Sequence, residues 1–244
     1  MAYGQLLKTD FLAATGLGFV NFHGSLLPAL RGATPVEGAL ALGLAETGVS
    51  LQQVVLKLDA GPIHASRSLR PLAGEARAAL RARLGVVAGE LAAAALPAIL
   101  AGTSVSGPQD ESRVTYARRL NRADAPLDFR QPAIVLRQRV LALEGWPGST
   151  FGHRGVTIKV GAAQAEDSAA PGTPGQILAA DRTGVRVACG QGVLVLTQLQ
   201  RPGGKMLPAG EFLAGFPLAV GETLTSEDMP AFVASSPFPR APKA

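Results

Sequence analysis

The stretch NFHGSLLPALRGATP, residues 21–35, carries His23, one of only three histidines in the chain, two positions after an asparagine. It follows the short apolar run GFVNF, which reads as a strand that delivers Asn21 and His23 at its carboxyl end. Behind it, ATPVEGALALGL reads as a helix with Pro35 in its first turn, where the missing N–H costs nothing. VSLQQVVLKLD reads as the next strand, ending at Asp59 before the turn AGP. Residues 74–101 follow a helical pattern, with Leu80, Leu84, Val87 and Leu91 drawing one apolar stripe. Alternating strands and helices predict an open α/β sheet, in which ligands bind beyond the carboxyl ends of the strands. Both His23 and Asp59 are expected at such ends.

The pattern changes further along. GTSVSGPQDESR is polar and rich in turn formers, so residues 103–124 are expected to be a linker after a first domain at 1–102. QPAIVLRQRVLALE reads as a helix opened by Pro132. VTIKVG, GQILAAD, GVRVACG and GVLVLTQLQ are then short strands divided by glycine turns, which predicts a small β-barrel or sandwich over 125–224. Residues 225–244 are expected to be a disordered tail.

Composition narrows the classes. Hydrophobic residues make up 47% of 244, enough for a sizeable core. Cys189 is the only cysteine, which rules out an internal disulfide, argues against a cysteine-based metal site and suits a reducing compartment. Lys8 and Asp10 interrupt what a secretory signal would need, and LAAAALPAILA reads as too short to cross a bilayer. A soluble cytoplasmic chain is expected. The net charge of +5 is unevenly spread. Residues 113–205 hold thirteen Lys/Arg against six Asp/Glu, while residues 1–112 hold eight of each. A localised basic excess suits a polyanionic partner or a merely solubilising surface.

An asparagine, a histidine and a carboxylate at strand ends could serve transfer of an acyl or formyl group to an amine. The asparagine amide can donate to the oxyanion that develops on the attacked carbonyl. An imidazole can manage the amine's proton near neutral pH, with a carboxylate orienting it. Each residue also has a plain alternative: a loop histidine that satisfies backbone groups, and an aspartate that shapes a turn. Residue type and spacing leave both open.

The motif goes further than its chemistry. Asn-x-His, then Ser-Leu-Leu-Pro, then an aspartate before a small residue and glycine, closely resembles the signature of the folate-dependent formyltransferases; here these are Asn21, His23, Ser25, Leu26, Leu27, Pro28, Asp59 and Gly61. In the second half, VTYARRLNRADAPLDF, APGTPGQIL and LTQLQRPGGKMLPAGEFLAG resemble the members that formylate methionyl-tRNA. The resemblance implies a Rossmann-like catalytic domain joined by a linker to an OB-like, tRNA-binding barrel. Roughly eighty residues of the family's Rossmann-like half have no counterpart here, so an N-terminally truncated catalytic domain is expected.

The resemblance also implies the parts. The donor would be 10-formyltetrahydrofolate, lying against Ser25, Leu26, Leu27 and Pro28. Asn21 and His23 would stabilise the oxyanion, and Asp59 would support His23 and assist proton removal. Arg118, Arg119 and Arg122 would contact initiator methionyl-tRNA. No metal and no membrane are implied, and the chain would act as a monomer. Arg31 would help with folate or tRNA, or close the loop. His64 and His153 match no functional position, and Trp146 is expected in the core. Two further readings stay open: a formyltransferase acting on an amino-sugar nucleotide or another small amine, and an RNA-binding fragment without activity.

Overall fold

A computed structural model describes Leu12 and residues 14–168 and 172–239. The chain divides into two units. The first comprises residues up to Ala39, Leu44–Arg119 and the residues from Ala231 onward; the second comprises Leu40–Gly43 and Leu120–Pro230.

In the first unit, β1 (Val20–His23) and β2 (Arg31–Gly32) precede α1 (Pro35–Ala41). They are followed by β3 (Thr47–Gln53), β4 (Ile63–Leu69), α2 (Arg77–Leu100) and β5 (Tyr116–Ala117). The main sheet has the order β1-β3-β4, and both pairings are antiparallel. The expected alternation of strand and helix therefore fails between β3 and β4, which form a hairpin. The strand at residues 49–59 also stops short, at Gln53. There Gln53 N–H bonds Pro62 O and Val54 N–H bonds Phe19 O, and the chain leaves the sheet in a turn closed by Ala60 N–H on Lys57 O.

Period-two alternation along β3 explains what the sheet does for the site. Val49 and Leu51 are fully buried apolar residues, and Ser50 and Gln52 alternate with them on the opposite face. The register places Ser50 opposite His23 and Gln52 opposite Asn21, so all four side chains share one face.

The helix expected over 74–101 is present as α2 and lies against β3 and β4. Leu80, Leu84, Leu91 and Ile99 are its buried residues. The apolar run read as too short for a bilayer belongs to this 24-residue helix, which is long and apolar enough to cross a membrane by length and composition alone. Buried Glu37 of α1 takes ion pairs from Arg81 at 2.7 Å and Arg77 at 3.6 Å, tying the two helices together.

Residues 103–119 are not a free linker. Ile63 and Gly107 exchange backbone hydrogen bonds, and β5 pairs in parallel with β2. Nor do residues 225–239 behave as a disordered tail. Phe232 is buried, and β12 (Val233–Ala234) adds antiparallel to β5 to complete a mixed sheet, β12-β5-β2. The expected tail contains the apolar run AFVA, and Phe232 within it is buried.

The second unit contains α3 (Ala133–Ala142), β6 (Ser149–His153), β7 (Val156–Glu166), β8 (Ile177–Asp181), β9 (Gly184–Ala188), β10 (Val193–Gln200), β11 (Leu207–Pro208) and α4 (Ala209–Gly215). Its strands run β6-β7-β10-β9-β8, all antiparallel, with β11 beside β10. Leu127, Phe129, Leu136, Phe151, Ile158, Leu194 and Leu196 form its core. The sheet is an open path and not a closed barrel, because β6 and β8 do not pair. Residues 221–225 reach both ends instead: Thr225 N–H bonds Gly152 O at 2.8 Å, and Ile177 N–H bonds Glu222 O at 2.8 Å. Trp146 is 51% exposed, against the expectation of a core residue. It sits in a tight turn between Gly145 and Gly148, both at positive φ.

Candidate active site

His23 is 5% exposed at the end of β1. Its Nε2 lies 2.8 Å from Leu30 O. A carbonyl only accepts, so Nε2 carries the hydrogen and Nδ1 is the atom free to take up a proton. Nδ1 faces Asp59 Oδ2 at 3.7 Å, too long for a direct hydrogen bond but close enough for the carboxylate to orient the ring. Asn21 is half-buried two positions earlier on the same strand face.

Asp59 is held from several sides. Its Oδ2 accepts from Gly32 N–H at 2.8 Å and its Oδ1 from Gln52 Nε2 at 3.0 Å. Its backbone is left-handed, φ 45°, as is that of Leu30 at φ 60°. Non-glycine residues in that region store strain that the surroundings must overcome, and such residues gather at functional sites. Two glycines make the arrangement possible. A Cβ at Gly61 would lie 1.7 Å from Gln53 O, and one at Gly32 would lie 2.4 Å from Ala117 O.

The loop at 25–28 is pinned by Ser50. Its Oγ donates to Ser25 O at 2.9 Å, accepts from Leu27 N–H at 3.0 Å and meets Ser66 Oγ at 3.1 Å. Ser25 Oγ donates to Ala29 O, and the Leu27–Pro28 peptide is cis. Ser25 and Leu27 are buried in the turn itself, whereas Leu26 and Pro28 are half-buried. Of the four residues assigned to this loop, the latter two keep accessible surface.

Arg31 turns out to be fully buried. Its Nη2 donates to Glu111 Oε1 at 2.7 Å and to Gln109 Oε1 at 2.8 Å, and its Nε donates to Gln109 at 3.1 Å. This is the loop-closing alternative. Hydrogen bonds from Arg31, and next from Lys57, hold the Glu111 carboxyl well down, at about 2. Its folded value lies below its ordinary 4.5, so its contribution to stability is complete above that value and fades as pH falls toward about 2. In a side-chain NMR titration, Glu111 should therefore stay ionised after ordinary glutamates have protonated. A midpoint near 4.5 would mean the Arg31 bridge is absent in solution.

Sequence reading missed Ser50, Gln52 and Gln109. The alternation of polar and apolar residues along β3 was the available signal for the first two. His64 bonds Ser104 Oγ at 2.9 Å and Gln53 Oε1 at 3.2 Å, while buried His153 lies 3.2 Å from Glu222 Oε2. Burial pushes the Cys189 thiol up to about 11, which makes it a poor nucleophile. The three arginines proposed for tRNA differ. Arg118 donates to Ala231 O and Arg119 O, both at 3.0 Å, and lies 5.6 Å from the centre of the Phe238 ring. Arg119 and Arg122 are exposed.

Comparison with known proteins decides the family. Residues 1–96 match the formyl transferase domain, and residues 119–217 match the formyl transferase C-terminal domain. A methionyl-tRNA formyltransferase from Burkholderia thailandensis is 41% identical over 231 residues, covering 94% of this chain and 70% of the relative. The chain belongs to the methionyl-tRNA formyltransferase family. Another member, from Paraburkholderia phytofirmans, is 43% identical over 223 residues, covering 91% of this chain and 68% of its own length. Among solved structures, HypX from Aquifex aeolicus in complex with tetrahydrofolic acid shares the fold, with a TM-score of 0.60 at 20% identity. That match covers 85% of this chain and 38% of HypX. As a methionyl-tRNA formyltransferase family member, the chain is a transferase.

Proposed function

We propose that this chain transfers the formyl group of 10-formyltetrahydrofolate to the α-amine of methionyl-tRNA, yielding the formylated initiator for translation. The observation that carries this reading is the pairing of His23 Nδ1 with Asp59 at 3.7 Å, on the face shared with Asn21. The amine attacks the formyl carbon, and the bond from that carbon to N10 of the folate breaks. The proton lost by the amine passes to N10. Asn21 donates to the oxyanion, and His23 helps to stabilise it through Nδ1 once that atom has taken up a proton. Asp59 supports His23 and assists proton removal. Leu26 and Pro28, with the exposed Leu56 and Leu58 beside Asp59, offer the apolar surface that a folate ring needs.

We read the second unit as an OB-like barrel completed by residues 221–225, and as the part that meets tRNA. The reading extends to a cytoplasmic monomer with no membrane partner, with the catalytic residues drawn from residues up to 102 and a Rossmann-like scaffold. The test is to supply 10-formyltetrahydrofolate with charged methionyl-tRNA or with a nucleotide-linked amino sugar. Formylmethionyl-tRNA alone is the expected product. Formylation of the sugar alone would move the chain to the small-amine class, and no product from either would leave an RNA-binding role.

Binding of tRNA should weaken steeply with salt, because each neutralised phosphate adds about 0.7–0.9 to the log–log slope. Reversing the exposed Arg119 and Arg122 to glutamate should flatten the slope and raise KM for methionyl-tRNA, with folate binding unchanged. Reversing Arg118 should instead lower the melting temperature, since its guanidinium holds the backbone at residues 119 and 231. A slope unaffected by either exposed arginine would remove them from the tRNA surface.

A further inference from the structure

Gln109 stands outside every role assigned so far, yet it is the most heavily bonded side chain near Asp59. Its Nε2 lies 2.8 Å from both Asp59 O and Gly61 O and 3.3 Å from Gln52 Oε1. Its Oε1 accepts from two nitrogens of buried Arg31. Gln52 in turn donates to the Asp59 carboxylate through its own Nε2. Two primary amides thus run in series from Arg31 to the carboxylate that faces His23. The orientation of each is set by its neighbours. Arg31 can only donate, so it fixes which end of Gln109 is oxygen; the amide end must then point at the turn.

The turn needs such a clamp. Asp59 is left-handed, and its neighbour Gly61 has backbone too close to Gln53 O for any side chain. A non-glycine residue in this region persists only where surrounding contacts over-determine it. The two carbonyls that Gln109 binds belong to the residues at either side of Ala60, so one amide group spans the apex of the turn.

We propose that Gln109, acting through Gln52 and through the backbone of Asp59 and Gly61, is a positioning residue that holds the Asp59 carboxylate against His23. The inference rests on the functional reading above. Among the described residues Asp59 is the charged group in close contact with His23, while Arg31, Glu111 and Lys57 join the network through Gln109. A shift of about 1 Å in a catalytic group can cost 100-fold in rate, so freeing the turn should act on turnover and not on substrate binding.

Two variants separate donation from anchoring. Gln109→Met keeps side-chain length and loses every hydrogen bond. Gln109→Glu still accepts from Arg31 but cannot donate to the turn. Both should lower kcat by about 100-fold with KM for methionyl-tRNA nearly unchanged. In crystal structures of both variants the Asp59 Oδ2–His23 Nδ1 distance should lengthen from 3.7 Å by about 1 Å, because the turn that carries the carboxylate is released. That measurement needs no turnover, so it tests the clamp even if formyl transfer is not the reaction. Normal turnover and an unmoved Asp59 carboxylate in Gln109→Glu would reduce Gln109 to an anchor for Arg31 and overturn the proposal. If the parent protein formylates no acceptor but the carboxylate still moves, the functional reading fails and the clamp stands.

Discussion

Replacing His23 by alanine should lower formyl transfer by about 10²–10³-fold, the usual cost of losing one donor to a developing oxyanion. The structural role of this residue has to be separated from the chemical one. Nε2–H satisfies Leu30 O inside the 5%-exposed site, so alanine also strands a buried carbonyl, at about 1–3 kcal/mol of stability. His23→Gln distinguishes the two roles. The glutamine amide can still donate to Leu30 O, but it has no basic nitrogen where Nδ1 stands. It should melt near the parent temperature and remain as inactive as alanine. Turnover close to the parent's in His23→Gln would return His23 to the ordinary class of loop histidines that merely satisfy backbone.

Gly61→Ala should be nearly as damaging, although residue 61 carries no functional group. Its Cβ would lie 1.7 Å from Gln53 O, a backbone atom fixed at the end of β3. The turn must move, and with it Asp59, which the Gln109 amide holds from both sides of Ala60. Overpacking of this kind costs about 1–3 kcal/mol, and displacement of the carboxylate should cost roughly 100-fold in rate. Gly85→Ala and Gly89→Ala serve as controls. Nothing lies within 4 Å of a Cβ at either position of α2, so each should stabilise the helix by about 1 kcal/mol. A Gly61→Ala protein with full activity would mean that the turn is not the rigid mount described above.

The residues with a single local signal were legible. His23, Asn21 and the loop at 25–28 announce themselves by motif, and α2 and the strands from β7 to β10 by period. What stayed hidden depends on pairing across long separations. Nothing in VSLQQVV says that Gln52 will face Asp59, because the turn that brings Asp59 back is set by the Gly61–Gln53 approach. VVLKLD is rich in residues that favour strands, which points Asp59 to a strand end, yet β3 ends at Gln53 and the chain turns away before Asp59. Gln109 looked like linker because PQDES is rich in turn formers, and its function as a hub appears only when Arg31, 78 positions earlier, is buried against it. Trp146 runs the other way: its ring suits a core by residue type, yet it is 51% exposed.

The three-stranded sheet that unites β2, β5 and β12 joins residues near positions 31, 116 and 233, with Leu120–Pro230 of the second unit inserted between the latter two. A ribosome making this chain releases residues 1–119 long before the strand that completes their sheet has been synthesised. The second unit can assemble while the first waits for Val233 to arrive. Contacts of such wide separation form late, since their loop-closure cost comes before their reward. A protease cut just before β12 would thus strike the half bearing His23, more than two hundred positions from the break.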